Sequence, residues 1–218
     1  MLGSNPPLDD IMRPAQLRRI YFLRYNYIVR INVIGTSGSG KTTFGRKLAN
    51  ILEHPFIEMD AVFWGPNWYF PPDEEFFLNL AEMLKKENWV LDGNYTRTMG
   101  FKWDRVQAVV WLNFSFARTL YQAVKRAIGR LFSQEEIWPG TGNREDLKML
   151  FSKDSIVLWT IRGYHRHVKR NIGYIYAEDY SHIKFHRIRS PRDVKRFFQL
   201  VAVDPNYILR NEYGVSRK

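Results

Sequence analysis

Residues 35–42 form a glycine-rich loop that ends in a lysine and a threonine. The loop reads Gly35-Thr36-Ser37-Gly38-Ser39-Gly40-Lys41-Thr42, which is a complete G-x-x-x-x-G-K-T pattern. Its glycines free the backbone to wrap a polyanion, so that successive N–H groups point at phosphates. In this pattern the lysine carries a positive charge to the β- and γ-oxygens, and the threonine hydroxyl is a magnesium ligand. The pattern predicts that residues 35–43, with Thr43 included, bind the phosphates of Mg-ATP.

The segments on either side of the loop support this prediction. Residues 28–34 before the loop form an apolar run that is typical of a buried strand. After the loop, Phe44, Leu48, Ile51 and Leu52 recur at helical spacing. A plain glycine-rich turn is the alternative interpretation, and the full match in a strand–loop–helix context disfavours it.

Strand and helix signals alternate along the rest of the chain. Apolar runs predict further strands, and helical spacing predicts helices between them. The predicted strands are residues 54–60, 89–93, 108–112 and 182–188, and the predicted helices are residues 73–86 and 116–132. Ser190, Pro191 and Asp193 predict the start of a last helix, because they form a capping pattern. Strands separated by helices need crossover connections, which indicates an α/β fold with a five-stranded parallel sheet.

Ligands of such sheets bind at the carboxyl ends of the strands, so polar residues there are the candidates. Asp60 could accept a proton from an acceptor hydroxyl, hold a magnesium-bound water or bind the substrate, although an aspartate there can also cap a helix. Asp92 could orient water on the metal, although Asp92-Gly93 can also form a plain turn. Asn113 follows the fourth strand, and we expect no metal role for it because an amide binds magnesium weakly.

Composition excludes several classes of protein. The chain has 218 residues, 45% of them hydrophobic, and no low-complexity tract, which predicts one ordered domain. Its apolar runs are shorter than the ~20 residues that span a bilayer. The chain contains no cysteine, which excludes disulfides and thiolate metal sites and fits a cytoplasmic protein.

The predicted domain boundaries follow from the position of these signals. Residues 1–26 form an N-terminal extension without the long apolar centre of a signal peptide. Residues 27–203 form the nucleotide-binding domain, with a lid region at about 118–170, and residues 204–218 form a C-terminal tail.

Several segments in this order resemble a known family. They are the loop at residues 35–43, Met59-Asp60 with residues 64–68, residues 89–95, residues 110–112 and residues 142–145. Together they resemble the adenylate-kinase-like and shikimate-kinase-like P-loop proteins, whose members are often labelled DNA topology modulation proteins. The resemblance covers about residues 28–199. It implies the three-layer fold of nucleoside monophosphate kinases, with a helical lid over ATP and phosphoryl transfer to a small acceptor.

The resemblance also implies roles for arginines. Residues 92–97 are similar to an Asp-Gly-Phe-Pro-Arg stretch, so Arg97 is expected near an acceptor phosphate. Arg126 and Arg130 are similar to paired lid arginines that close on ATP. Arg144 is the best candidate for stabilising transition-state charge, because lid closure can bring an arginine to the transferred phosphoryl group. Arg162, Arg166 and Arg170 share one helix face and form either part of the lid or a solvated face.

Aromatic residues and net charge bear on the acceptor. Trp64 and Trp68, followed by Tyr69 and Phe70, could stack on an acceptor base or could belong to the core. The net charge of +11 suits a triphosphate and a phosphorylated acceptor. It would also suit a nucleic acid or an anionic membrane, although no nucleic-acid-binding motif accompanies it.

Two functions remain from the sequence. One is a kinase that transfers the γ-phosphate of Mg-ATP to a small acceptor such as a nucleoside monophosphate. In that case Lys41 and the lid arginines handle charge, Thr42 and Asp92 hold magnesium, and Asp60 positions the acceptor. The other is a regulatory P-loop NTPase associated with nucleic acid, whose binding would be sensitive to salt.

Overall fold

Five parallel strands form one sheet in this computed structural model, which describes residues 28–133, 135–145 and 155–210. The strands are β1 (Arg30–Gly35), β2 (Phe56–Glu58), β3 (Trp89–Asp92), β4 (Ala108–Leu112) and β5 (Lys184–Ile188). Their order is β2-β3-β1-β4-β5, and each neighbouring pair is parallel. This confirms the predicted α/β fold. The predicted N-terminal extension, residues 1–26, lies outside the described residues.

Helices connect the strands. They are α1 (Lys41–Leu52), α2 (Met59–Phe63), α3 (Asp73–Met83), α4 (Met99–Trp103), α5 (Phe116–Ser133), α6 (Ile156–Tyr176) and α7 (Pro191–Val203). In the parts of the chain that the structure describes, no helix combines the length and apolar character needed to cross a membrane. The predicted lid region contains most of α5 and most of α6, while its residues 134 and 146–154 lie outside the described residues.

Two hydrophobic cores cover the two faces of the sheet. Alternate residues of a strand point to opposite faces, and β4 shows this directly: Val110 contributes to one core and its neighbour Trp111 to the other. The first core contains residues of α1 and α7, such as Leu48 and Phe197. The second contains residues of α3 and α4, such as Phe76. The result is the three-layer arrangement expected for a parallel sheet.

Residues 205–209 pack more closely than the sequence indicated. The predicted capping pattern is present at α7, where Ser190 accepts from the Asp193 amide and Asp193 accepts from the Ser190 amide. After α7, a short 3-10 turn at Pro205–Leu209 buries Tyr207 and Ile208 in the first core. The packed domain therefore continues beyond residue 203 into the segment that the sequence assigned to a C-terminal tail.

Four of the five strands differ from the predicted bounds by one or two residues at an end. β1 is Arg30–Gly35 against the predicted 28–34, β2 begins two residues after its predicted start, and β3 ends one residue before its predicted end. β2 ends at Glu58, and the chain turns directly into α2, so Asp60 lies in the first turn of a helix and not at the end of a strand. β5 begins at Lys184, two residues after the predicted start. Residues before a strand can be as apolar as the strand itself, so periodicity alone does not reveal where hydrogen bonding begins.

Candidate functional site

The glycine-rich loop joins β1 to α1 at the carboxyl edge of the sheet. Gly40 precedes α1 with φ 85°, a left-handed conformation that favours glycine, and an added Cβ there would meet open space. Gly38 has φ 82°, and an added Cβ would lie 2.8 Å from the Ala123 Cβ of α5. Glycine is thus required at position 38 both for its backbone angle and for the close approach of α5.

Asn94 fixes the start of this loop. Its side-chain oxygen accepts from the Gly35 amide at 3.0 Å, and its side-chain nitrogen donates to the Gly35 carbonyl at 2.7 Å. The Asn94 carbonyl in turn accepts from the buried ammonium of Lys102 at 3.2 Å. The segment after β3 therefore binds both the amide and the carbonyl of Gly35, the first residue of the nucleotide loop. The sequence pattern alone assigned no role to Asn94.

Thr42 and Asp92 form a pair suited to a hydrated magnesium ion. The Thr42 hydroxyl donates to Asp92 Oδ2 at 2.5 Å, while Asp92 Oδ1 is buried and has no hydrogen-bond partner among the described residues. Burial raises the pKa of Asp92 to about 6, against the opposing effect of the Lys41 charge. A cation beside the free oxygen would satisfy it and favour the ionised form.

Two protein oxygens are enough for magnesium in a nucleotide site. The ion keeps several waters and takes its remaining ligands from phosphates, so it does not need a cage of side chains. Across residues 28–133, 135–145 and 155–210, no group of three His, Cys, Asp or Glu side chains could hold a metal. The Thr42–Asp92 pair fits magnesium that arrives with a nucleotide. The Lys41 ammonium lies 3.4 Å from the Thr36 carbonyl, within the same loop.

A second carboxylate, Asp60, faces the same edge. The Tyr95 hydroxyl donates to Asp60 Oδ1 at 2.8 Å, and burial together with this carboxylate raises the pKa of Tyr95. The backbone brings the two aspartates together, because a Cβ added at Gly93 would lie 2.8 Å from the Met59 Cβ. Asp60 is exposed and can therefore meet a ligand, whereas Asp92 is buried behind it.

An aromatic wall continues from Asp60. Trp64 and Trp68 lie edge to face with ring centroids 5.7 Å apart, and both contact Trp138. The Trp138 indole donates to Glu58 Oε1 at 3.3 Å. Trp64 and Trp68 thus lie together, as the sequence indicated. Trp138 was missed, although a lone tryptophan before Pro139-Gly140 is a weak signal of a packed loop.

Tyr69 and Phe70 behave differently from the two tryptophans before them. Their exposed fractions are 55% and 62%. Phe70 still stacks on Phe63 at 6.2 Å. The group that the sequence placed in one cluster is therefore divided between a packed wall and an exposed rim.

Of the predicted arginines, Arg126 lies deepest in the site. Its guanidinium donates to the Ser37 hydroxyl at 3.3 Å, and its Nε is buried without a hydrogen-bond partner among the described residues. Burial, followed by the charge of Arg130, lowers the pKa of Arg126, while Asp60 and Asp92 act in the opposite direction. Arg126 therefore lies within electrostatic reach of both carboxylates.

The other predicted arginines lie at different places. Arg130 pairs with the buried Glu145 at 3.5 Å, and Arg144 is exposed. Arg97 pairs with Asp73 of α3 at 2.5 Å, and its guanidinium lies over the Phe63 ring. The structure thus brings Arg126 to the nucleotide loop and Arg97 to the rings of Phe63 and Phe76.

Two further predicted residues lie at the edges of the site. Thr43 is exposed on the first turn of α1. The Asn113 amide, oriented by its neighbours, accepts from the Arg187 guanidinium at 2.8 and 2.6 Å. In this orientation the Asn113 oxygen is occupied by arginine, and the expectation that Asn113 has no metal role stays a prediction.

Helix α6 crosses the loop from the other side. The Thr160 hydroxyl donates to the Ser37 carbonyl at 3.3 Å, and the Tyr164 hydroxyl donates to the Phe114 carbonyl at 2.7 Å. Burial, and then the charges of Arg170 and Lys41, lower the pKa of His167 to about 4, and Arg170 donates to His167 Nδ1 at 2.7 Å. Arg162 and Arg166 are exposed. Of the three predicted arginines on this helix, Arg170 is half-buried against His167, whereas Arg162 and Arg166 lie on the surface.

Comparison with known protein families gives a match over part of the chain. A family model described as shikimate kinase matches residues 37–65, from the nucleotide loop to the start of the aromatic wall. No curated protein matches the chain.

Similar solved structures include two shikimate kinases. The enzyme from Bacteroides thetaiotaomicron is 17% identical, with a TM-score of 0.48, 79% of this chain covered and 96% of that one. The enzyme from Acinetobacter baumannii, in complex with shikimate, is 18% identical, with a TM-score of 0.46 and coverages of 88% and 99%.

A gluconokinase from Sinorhizobium meliloti 1021 is similar as well. It is 15% identical, with a TM-score of 0.43, 84% of this chain covered and 98% of that one. With TM-scores below 0.5, these likenesses identify no substrate. The sheet order, the complete nucleotide loop and the local match make the chain a P-loop α/β protein that is similar to shikimate kinase.

Proposed function

We propose that the protein transfers the γ-phosphate of Mg-ATP to a hydroxyl group of a small acceptor. The observation that carries this proposal is the presence of two pairs near the nucleotide loop, each made of a hydroxyl that donates to a carboxylate. Thr42–Asp92 lies on the metal side and Tyr95–Asp60 on the acceptor side. A binding protein for nucleotides needs the first pair alone. The second pair, beside an aromatic wall, favours an enzyme that holds an acceptor.

On the donor side, the residues bind and neutralise the triphosphate. Backbone N–H groups of the loop and the start of α1 face the phosphates, and the ammonium of Lys41 reaches their β- and γ-oxygens. Thr42 and Asp92 would hold magnesium, which would supply positive charge to neutralise the phosphates. Arg126 approaches from α5, where its guanidinium can balance charge that spreads over the transferred group.

On the acceptor side, Asp60 is the group that can receive a proton. Its carboxylate is exposed, it already accepts from Tyr95, and its second oxygen is open to a hydroxyl of the acceptor. Tyr95 fixes the orientation of this carboxylate. As the acceptor oxygen attacks the γ-phosphorus, the bond from phosphorus to the β-bridging oxygen breaks, and the hydroxyl proton passes to Asp60.

The acceptor pocket suits a small molecule with a ring or a chain of hydroxyls. Trp64, Trp68 and Trp138 offer flat apolar faces next to a carboxylate, which favours a ligand with one apolar face and one polar edge. Nucleoside monophosphates fit this description. Shikimate offers a ring with hydroxyls and gluconate a chain of hydroxyls, and they are the substrates for which the similar kinases are named.

The proposal is tested by ADP formation from Mg-ATP in the presence of candidate acceptors. The panel contains nucleoside monophosphates, shikimate, gluconate, DNA and RNA. We expect one small acceptor to stimulate ADP formation. Lys41→Ala should lower that rate at least ~100-fold, because the variant lacks the positive charge that neutralises the γ-phosphate.

Lys47→Ala is the matched control. Lys47 lies one helical turn and a half further along α1, over the ring of Phe198, so its loss leaves the loop intact. Wild-type turnover by Lys41→Ala would contradict the proposal. Stimulation by DNA or RNA alone would favour the regulatory NTPase instead.

A further inference from the structure

One segment that precedes α6 is bound to the wall of the acceptor pocket. We call residues 135–145 the lid segment and residues 64–69 the acceptor loop. Asn143 of the lid segment accepts from the Trp68 amide at 2.7 Å and donates to the Gly65 carbonyl at 2.9 Å. Its exposed fraction is 1%, so these bonds are shielded from water. One side chain thus hydrogen-bonds to two backbone groups of the acceptor loop, and Trp68 lies 75 residues before Asn143 in the chain.

The acceptor loop is strained where Asn143 holds it. Asn67 has φ 54° and Trp68 has φ 59°, two successive residues in the left-handed region. Asparagine tolerates this region, whereas a bulky side chain such as tryptophan adopts it only when its surroundings impose it. The lid segment provides these surroundings. The Asn67 amide donates to the Thr141 carbonyl at 3.2 Å, and the Trp68 amide donates to the Asn143 side-chain oxygen.

The same segment is connected to the nucleotide loop. Glu145, two residues after Asn143, pairs with Arg130 of α5. One turn earlier on α5, Arg126 donates to the Ser37 hydroxyl of the nucleotide loop. A continuous set of contacts therefore runs from the phosphate site through α5 and the lid segment to Trp68.

We infer that Asn143 is a positioning residue that sets the shape of the acceptor pocket according to the state of the nucleotide site. This inference rests on the proposed function, because it takes Trp68 to line an acceptor pocket. When a nucleotide orders Arg126 and α5, the lid segment is held in place, and Asn143 then keeps Trp68 in its left-handed conformation. Without Asn143 the acceptor loop relaxes, and the acceptor pocket loses its shape. The nucleotide site retains its structure.

Hydrogen exchange of the two segments tests this inference without turnover. In the wild-type protein, magnesium with a non-hydrolysable ATP analogue is expected to slow exchange in the lid segment and in the acceptor loop. In Asn143→Ala the analogue still slows the lid segment, while the Trp68 amide exchanges about tenfold faster than in the wild type, because it has lost its acceptor. Unchanged exchange at Trp68 in Asn143→Ala would overturn the inference.

Two further variants control for damage to the fold. Asn88→Ala removes a side-chain bond to the Val29 amide at the opposite edge of the sheet, so exchange at Trp68 should not change. Asn143→Asp keeps an oxygen for the Trp68 amide and loses the donor to Gly65. It should retain slow exchange at Trp68, and exchange as fast as in Asn143→Ala would overturn the inference.

Kinetics separate this inference from the proposed function. With an acceptor in hand, Asn143→Ala should raise the KM for the acceptor about tenfold and change the KM for ATP by less than about twofold. An equal rise of both would mean general damage and would contradict a positioning role. If no acceptor is phosphorylated, the proposed function fails, while the exchange data still decide whether Asn143 couples the two segments.

Discussion

Asp92 shows how one buried carboxylate can be kept ready for a cation. Its Oδ2 is bound by Thr42, its Oδ1 has no partner among the described residues, and burial raises its pKa to about 6. A buried polar oxygen without a partner is rare in folded proteins and is costly. In this protein the cost is understandable if the oxygen is completed by the magnesium shell of a bound nucleotide.

The Asp92→Asn substitution tests this interpretation at the scale of one residue. The amide retains the shape of the side chain but loses one anionic oxygen, so kcat/KM for ATP should fall about 100-fold. Stability should change little, because burial penalises an ionised carboxylate more than a neutral amide. The measurements are steady-state kinetics at several magnesium concentrations and the midpoint of thermal unfolding.

Asp73→Asn is the matched control for this prediction. Asp73 pairs with Arg97 on an exposed surface, outside the Thr42–Asp92 pair. Its substitution should change kcat/KM by less than about twofold, since exposed ion pairs contribute little. Wild-type kinetics in Asp92→Asn would show that the free oxygen of Asp92 has no part in magnesium binding.

At the scale of elements, the nucleotide loop and α5 touch at Gly38. An added Cβ there would lie 2.8 Å from both the Ala123 Cβ and the Thr119 carbonyl. This contact, together with the bond from Arg126 to Ser37, places α5 directly against the phosphate site. The loop and α5 are therefore in direct contact both by packing and by a side-chain hydrogen bond.

Gly38→Ala should separate these two elements. The φ of 82° and the short contacts predict a loss of about 1–3 kcal/mol of stability and at least a ~10-fold loss of ATP affinity. Calorimetric titration with ATP and urea unfolding measure the two effects.

Gly129→Ala on the exposed part of α5 is the matched control. No atom lies within 4 Å of the Cβ added there, so the variant should gain about 0.5–1 kcal/mol from helix propensity and keep its ATP affinity. Equal ATP affinity in both variants would show that the contact at Gly38 is not needed for binding.

At the scale of the whole molecule, the second core contains an unusual charge. Lys102 of α4 is fully buried between Met59 and the Asn94 carbonyl, and burial, followed by the charge of Arg170, lowers its pKa to about 7. The Lys102 ammonium donates to the Asn94 carbonyl and lies beside the Met59 thioether. The positive charge of Arg170 acts on it as well. The protein therefore carries an electrostatic penalty inside its core at neutral pH.

The pH dependence of stability follows from this penalty. In the unfolded chain Lys102 stays protonated up to about the ordinary lysine pKa of 10.5, and in the folded chain only up to a pKa of about 7. Between these values the unfolded state binds more protons, so stability rises with pH, by up to about 1.4 kcal/mol per unit. Urea unfolding at pH 7, 8 and 9 measures this slope.

Lys102→Met removes the charge at similar volume. The variant should be more stable than the wild type at pH 7, and the difference should shrink as the pH rises to 9. Lys47→Ala, on the exposed side of α1, should leave the slope unchanged. A difference between Lys102→Met and the wild type that does not depend on pH would contradict the lowered pKa.

Sequence reasoning succeeded where the signal is local. The loop at residues 35–42 is contiguous, and its neighbours in the chain supply the strand and helix that it needs. The five strands were predicted from apolar runs, and their ends differ from the prediction by at most two residues. The capping pattern at Ser190 was predicted and confirmed, because it requires only four adjacent residues.

The chain by itself determined the nucleotide loop, the parallel sheet and the presence of Asp60 and Asp92 near its carboxyl edge, since these follow from short-range patterns and strand order. Tertiary structure alone decided which residues complete the site. Asn94 fixes Gly35, Asn143 holds Trp68, and Arg126 reaches Ser37, over separations of 59, 75 and 89 residues. An asparagine or arginine looks the same in sequence whether it is solvated or buried against a distant loop, so packing had to distinguish them.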